Sequence, residues 1–246
     1  MIRTVIIMSS SGLVLFIKQY VHSIRQPRMV GSLLIAMLEF SMVTAGMPVS
    51  YIELTGLGVT VVWNEAAKVF CALFLDREDG ADFGRLLATE ILAGFQDEYA
   101  NELGSAALNL VDFSGFHSKL LDAIQRTAQP VLGRLVQAHG VLKAVLITES
   151  SQTFQTADID QLGLLANLGA LAGLSTDIMA HCGDSVRTLT LEGDARGNSR
   201  VLVWRVEQST LVVAASRAVT PAHYQPAVDE AVDMLLRLAR VLGSLR

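Results

Sequence analysis

Signatures of chemistry are scarce in this chain. Only two cysteines stand among 246 residues, Cys71 and Cys182, and neither has metal-ligand spacing around it. That excludes a disulfide framework and fits an intracellular, reducing compartment. Charge is also short: Asp, Glu, Lys and Arg make up 17% of the residues, against about a quarter in an ordinary globular chain. The 19 basic residues are scattered rather than clustered, and the net charge is −5. A nucleic-acid binder needs a basic stripe to neutralise phosphates, so that class is excluded. There is no Walker A loop, no HExxH and no nucleophile elbow. The five histidines, His22, His117, His139, His181 and His223, lie far apart.

The residues that could carry chemistry read more simply as structure. Gly56-Leu57-Gly58 lies between two strand-like runs, where a phosphate loop would need a strand before it and a helix after it. It reads as a β-turn. His181-Cys182-Gly183-Asp184 reads as a solvated loop, because adjacent residues do not readily present both side chains to one reacting atom. Asp76, Glu78 and Asp79 read as a charged turn after a strand. No catalytic residue, cofactor site or metal site is expected, and the chain is expected not to be an enzyme.

Hydrophobic residues, by contrast, reach 51%. With so little charge on the surface, part of that excess is expected at interfaces with other chains. Met29–Met47 is apolar for nearly the length of a membrane span, but Glu39 sits near its centre and Gly46-Met47-Pro48 ends it. A central carboxylate costs about 2.5–3.5 kcal/mol on insertion scales, which favours a buried core or interface helix. The start of the chain, Val5-Ile6-Ile7-Met8 broken by serines and Gly12, reads as a hairpin and not as a leader. A soluble, cytoplasmic protein is expected, with peripheral endomembrane contact at most.

The pattern along the chain runs twice. The first pass is a hairpin (Arg3–Met8 with Leu13–Tyr20), a helix from Pro27 to Ala45, and strands at Val49–Leu54, Val59–Trp63 and Val69–Leu75. A helix capped by Asp82 then runs to Leu103, with Gly104 as its stop. The second pass is Val141–Ile147, a turn near Glu149-Ser150-Ser151, Gln152–Thr156, and a helix from Asp158 to Ala180. Strands follow at Val186–Leu191, Arg200–Val206 and Thr210–Ser216, then a last helix introduced by Pro221 and Pro226. In that helix Asp229 and Glu230 are read in the first turn and Arg237 and Arg240 near the end, an order that suits the helix dipole. Each meander contains a tryptophan, Trp63 or Trp204, at a matching distance before an apolar strand. Between the passes, the pattern beginning at Phe116 is interrupted by Pro130. Two helices meeting near Ala128-Gln129 and one kinked helix shared between domains both fit. The domains are placed at 1–128 and 129–246.

The helix Leu162–Ile178 stands out. Gly163, Ala166, Gly169, Ala170 and Gly173 flatten its surface, and each interior glycine costs about 1 kcal/mol relative to alanine. Close approach of another backbone would offset that cost, from its own sheet or from a second chain.

These residues carry a resemblance. Gly140–Ile147, the small-residue helix after Asp158, Leu189-Thr190-Leu191-Glu192-Gly193, and Val201–Trp204 leading to Leu211–Ala214 make the stretch from His117 to Gly243 resemble a roadblock domain. The order hairpin, helix, three strands, helix makes Ile2 to Gly104, and on into the 116–128 helix, similar to a longin domain. One departure is the hairpin turn Glu149-Ser150-Ser151-Gln152, which lacks the usual glycine and leaves the register there open. The resemblance implies an α+β protein of two profilin-like α/β/α sandwiches, each with a five-stranded antiparallel sheet. It implies a homo- or heterodimeric platform, paired with another longin or roadblock protein, that binds and regulates a small GTPase in trafficking or signalling. A coat or tethering adaptor that binds proteins independently of nucleotide is the alternative. The implied dimer surface is Asn167, Ala170, Leu174 and Ile178 with Thr188 and Thr190.

Overall fold

The structure is a computed structural model of the full chain. It describes residues 1–21, 26–103, 111–148, 153–156, 161–192 and 198–245, with backbone alone at 161–166 and 169. Two compact units emerge, Met1–Thr127 together with Arg240–Arg246, and Ala128–Ala239. The expected stop at Gly104, the cap Asp158 and the turn Glu149–Gln152 lie outside the described residues.

In the first unit, β1 (Ile2–Ser9) and β2 (Val14–Gln19) form the hairpin, followed by α1 (Pro27–Ala45). Then come β3 (Tyr51–Leu54), β4 (Leu57–Asn64), β5 (Val69–Asp76), α2 (Ala81–Glu98), the single turn α3 (Ala100–Leu103) and α4 (Phe116–Arg126). All sheet pairings are antiparallel, in the order β2-β1-β5-β4-β3. The central strand β5, VFCALFLD, is buried over seven successive residues. An unbroken apolar strand of this kind needs cover on both faces, and it has it. Leu34 and Leu38 of α1 pack with Ile6, Met8, Val59, Val61, Phe70, Ala72 and Phe74. On the other face α2 approaches so closely that a Cβ on Gly84 would lie 2.4 Å from Thr60 Oγ1 and 2.8 Å from Leu75 Cδ1. Phe16, Phe95, Tyr99, Phe113 and Phe116 then join β2, α2 and α4 through ring contacts of 5.0–6.5 Å. Cys71 is wholly buried in β5, and burial pushes its thiol up to about 12.

The second unit repeats the plan with α5 (Ala128–Leu135), β6 (Val141–Ile147), β7 (Thr153–Gln155), α6 (Gln161–His181), β8 (Thr188–Glu192), β9 (Ser199–Val206), β10 (Ser209–Ser216) and α7 (Pro221–Leu245). Its sheet order, β7-β6-β10-β9-β8, is the first unit's order renumbered. The fold class is therefore α+β, two five-stranded antiparallel sheets with helices, as the resemblance to longin and roadblock domains implies. The β6–β7 register left open by the missing glycine is fixed as Val145↔Gln155, Leu146↔Phe154 and Ile147↔Thr153.

Three expectations change. Asp82 does not cap α2: the cap position is Gly80, at φ 78°, and Asp82 sits in the first turn paired with Arg85 at 2.7 Å. That helix also ends at Glu98, where Tyr99 leaves helical geometry to reach the aromatic cluster. The helix α7 starts at Pro221, with Pro226 inside it, so Asp229 and Glu230 fall well past the first turn and the helix runs beyond Arg240. The dipole argument therefore does not apply; Asp233 and Arg237 form an i,i+4 pair at 2.6 Å instead. The two-helix reading near Ala128-Gln129 holds: α4 ends at Arg126 and α5 begins at Ala128, with Pro130 in its first turn, where proline is tolerated.

The two tryptophans are not equivalent. Their spacing does match, since Trp63 pairs with Phe70 and Trp204 with Leu211. Trp63, however, stacks on Phe70 at 5.4 Å on the face that α1 covers, and is 45% exposed. The residues of the second sheet that pack with α6 are Val145, Val203 and Val212, which puts Trp204 on the opposite face, buried at 5% exposure. Side chains alternate faces along a strand, so equal spacing slipped by one residue inverts the burial.

Candidate interaction surface

The candidate surface of the second unit is built on α6 and β8. Leu168 is buried and anchors α6 to the sheet through Val145, Val203 and Val212. A single anchored stripe leaves the other side of the helix outward. Asn167 and Ala170 are exposed there, and Leu174 and Ile178 are 60% and 64% exposed. A Cβ on Gly173 would meet nothing within 4 Å, so its own sheet does not account for that glycine. Gly163, Ala166 and Gly169 fall where side chains are not described.

Strand β8 ends the sheet, and among the described residues it pairs with β9 alone, which leaves its outer backbone edge open there. Its residues alternate, with Leu189 and Leu191 half-buried and Thr188, Thr190 and Glu192 exposed. Leu189 packs on the α6 side. Thr188 and Thr190 lie opposite Trp204 and Leu202, on the other face. The structure thus brings the four α6 residues onto one outward side and puts the two threonines on the adjacent free edge, facing away from the helix. The end of β8 is held by Arg200, whose Nε lies 2.5 Å from Glu192 and whose Nη1 donates to the Tyr224 hydroxyl at 3.1 Å. Tyr224 first, then Glu192, push the Arg200 pKa further up and keep it charged.

The first unit carries a like surface that the sequence did not single out as a site. α1 buries only Gly31, Leu34 and Leu38, and beside it β3 is the edge strand. Phe40, Val43 and Met29 are 69%, 86% and 66% exposed. This corrects the buried-core alternative for α1. Among the described helices, α1 is the one long and apolar enough to cross a membrane. Its mean hydropathy was legible in the sequence, but which side met the sheet was not.

The remaining candidates fall into ordinary structure. Thr55-Gly56 is a two-residue turn between Leu54 and Leu57, with Gly56 at φ 79°. Asp76 and Asp79 take their counter-charges from the chain itself. Asp76 lies 2.7 Å from Arg3 Nε and 3.1 Å from the Met1 amino group, which also pairs with Asp79. His181 Nδ1 meets the Asp177 carbonyl at 2.7 Å, and Cys182 is exposed beyond it. Among the described residues no three His, Cys, Asp or Glu side chains gather as a metal site.

No family model matches the sequence, and no curated protein does. Solved structures do. The chain is similar to MglB of Myxococcus xanthus at 15% identity and a TM-score of 0.43, over 48% of this chain and 91% of that one. It is similar to the gliding protein MglB of Thermus thermophilus at 17% identity and a TM-score of 0.38, over 46% and 88%. A Roadblock/LC7 domain from Streptomyces avermitilis matches at 21% identity and a TM-score of 0.37, over 43% of this chain and 91% of its own.

Proposed function

We propose that this protein is a non-enzymatic platform subunit that dimerises through its second unit and binds a small GTPase, holding it in one conformation. The observation that carries the dimer is the outward side of α6, where Ala170, Leu174 and Ile178 are exposed beside the open edge of β8. Apolar side chains on a helix are stable in water only at a cost, which a second chain removes. The GTPase enters through the resemblance to longin and roadblock domains. A platform of that kind acts by binding one nucleotide state better than the other, which shifts the switch regions toward the favoured state.

The test is a pull-down of purified full chain against a panel of small GTPases in both nucleotide states. Enrichment that depends on nucleotide supports the proposal; enrichment of none overturns the GTPase part. Partners that bind regardless of nucleotide favour the coat or tethering adaptor instead. The dimer is tested separately with Ala170→Arg, which should lower the mass by light scattering while circular dichroism stays unchanged. An unchanged mass removes α6 as the interface.

A further inference from the structure

The histidines stand far apart in the sequence, but in the second unit the fold brings two of them together. His139 lies in the turn between α5 and β6, and His223 in the first turn of α7. Their ring centroids are 6.0 Å apart, with the ring planes at 80°. Both residues are exposed, so neither ring is there to fill a core. The loops that carry them are braced against each other. The Ser216 N–H donates to the Gly140 carbonyl at 2.8 Å. Val219 packs so closely that a Cβ on Gly140, at φ 95°, would lie 2.7 Å from its side chain. The His223 ring is held in turn by Thr220, whose Oγ1 lies 2.7 Å from Nδ1.

We propose that His139 and His223 together bind one divalent transition-metal ion of the zinc, nickel and copper class, with water in its other positions. Distance is the first support. A metal–nitrogen bond of about 2.0–2.1 Å puts the ion roughly 3.2 Å from each ring centroid. Two imidazoles in a tetrahedral shell then stand roughly 5.2 Å apart, centroid to centroid. The observed 6.0 Å closes to that with a shift of about 1 Å, which rotation of two exposed side chains supplies. Thr220 is the second support, and it does not depend on proximity. A ligating histidine normally gives its other ring nitrogen to a hydrogen-bond partner, which fixes the tautomer and aims the lone pair. With Nδ1–H donating to Thr220 Oγ1, the free nitrogen of His223 is Nε2. The outer partner of a metal-binding histidine is therefore already in place.

The donor set selects the ion. Imidazole suits zinc, nickel and copper, whereas calcium and magnesium take oxygen ligands. Among the described residues no cluster of three His, Cys, Asp or Glu forms here. Two protein ligands make an open, exchangeable site, unlike the four that close a structural zinc site. A bound ion would tie the α5–β6 turn to the start of α7, and binding to the folded chain alone raises its stability. Neither histidine belongs to α6 or β8, so this site stands or falls apart from the dimer and the GTPase.

The test uses the full chain, free of metal and of any histidine tag, with zinc chloride as the probe. Long-range proton–nitrogen correlation spectra report each imidazole separately. Zinc should shift the ring signals of His139 and His223 and leave those of His22, His117 and His181 in place. Calorimetry should give one ion per chain. His139→Asn and His223→Asn should each weaken binding at least about 10-fold, and Thr220→Val, which removes only the outer partner, roughly 10-fold. His181→Asn should change nothing. Zinc that leaves the His139 and His223 signals unmoved, or moves His181 as much, overturns the proposal. So does an affinity unchanged by either asparagine variant. The spectrum of the unaltered chain needs no variant, so it decides the matter even where a variant fails to fold.

Discussion

The two units share a strand order and even a strand offset, yet they spend their apolar residues differently. The first unit buries its central strand β5 between two helical layers and gathers five aromatic rings beneath α2 and α4. The second sets Val145, Val203 and Val212 under Leu168 on the α6 side of its sheet, and buries Trp204 and Tyr224 elsewhere. Their outward helices differ as well. α1 exposes large side chains, whereas α6 mixes Leu174 and Ile178 with Asn167, Ala170 and Gly173. A repeated backbone plan therefore does not imply repeated burial. What a position contributes depends on which face its strand presents.

The tryptophans give the largest test of that difference. Trp204→Ala should cost about 3–5 kcal/mol, the loss for a buried large aromatic. Trp63→Ala should cost about 1 kcal/mol, the order of one aromatic stack. Urea titrations of the two variants measure both. Equal losses would mean that the residues are equivalent after all and that the inverted register is wrong.

Glycines in the helices give the next effect. Gly84→Ala in α2 should destabilise by about 1–3 kcal/mol, because its methyl meets Thr60 and Leu75 across a filled interface. Gly94 of α2 is similarly confined, with Ala123 Cβ 2.9 Å from where a Cβ would stand. Thermal unfolding of Gly84→Ala with no loss would place α2 further from its sheet than the structure has it.

A smaller effect separates the strand ends by pH. The first unit closes β5 with Asp76, and the second closes β10 with the uncharged Ser216. Partial burial acts to raise the Asp76 pKa, but Arg3 and the Met1 amino group together hold it below its ordinary value. A carboxylate with a depressed folded pKa adds stability that is present above the unfolded value, about 3.9. That stability is lost as pH falls through the folded value. Asp76→Asn should therefore cost about 1 kcal/mol at neutral pH, the order of one hydrogen bond, and less in acid. Denaturant midpoints at pH 7 and below pH 4 check this; a loss that does not shrink in acid removes the ion pair as its cause.

The smallest effect concerns α6. Gly173→Ala meets nothing within 4 Å and should stabilise the separated chain by a few tenths of a kcal/mol to about 1 kcal/mol through helix propensity alone. If a second backbone approaches there, the same change should weaken association. Stability and mass moving in opposite directions would sharpen the contrast between the two helices; a destabilised chain would place Gly173 in a packed core.

Much of this arrangement was legible in the sequence. Pro27 and Gly46 bracket α1 at both ends, because proline suits a first turn and glycine takes the left-handed cap at φ 69°. Pro130 allowed either two helices or one kinked helix, and the structure has two. Of the candidate surface, the small residues singled out the α6 helix, the six named residues came from the resemblance to roadblock domains, and the facing of Thr188 and Thr190 was not legible. Asp229 and Glu230 were misplaced because a helix can begin at Pro221 and tolerate Pro226 a turn later when its packing holds it. Local rules rank start points without deciding between them.

By itself the sequence determined the elements, their order, the scarcity of charge and the apolar excess, because spacing, proline, glycine and composition act over a few neighbouring residues. Only the tertiary structure decided the faces. A strand's side chains alternate, so one residue of register turns Trp204 inward and leaves Trp63 half exposed. A helix apolar all round shows which stripe is core only once a sheet has covered it. Leu34 and Leu38 took that place in α1, and Leu33 and Phe40 were left to water or to another chain.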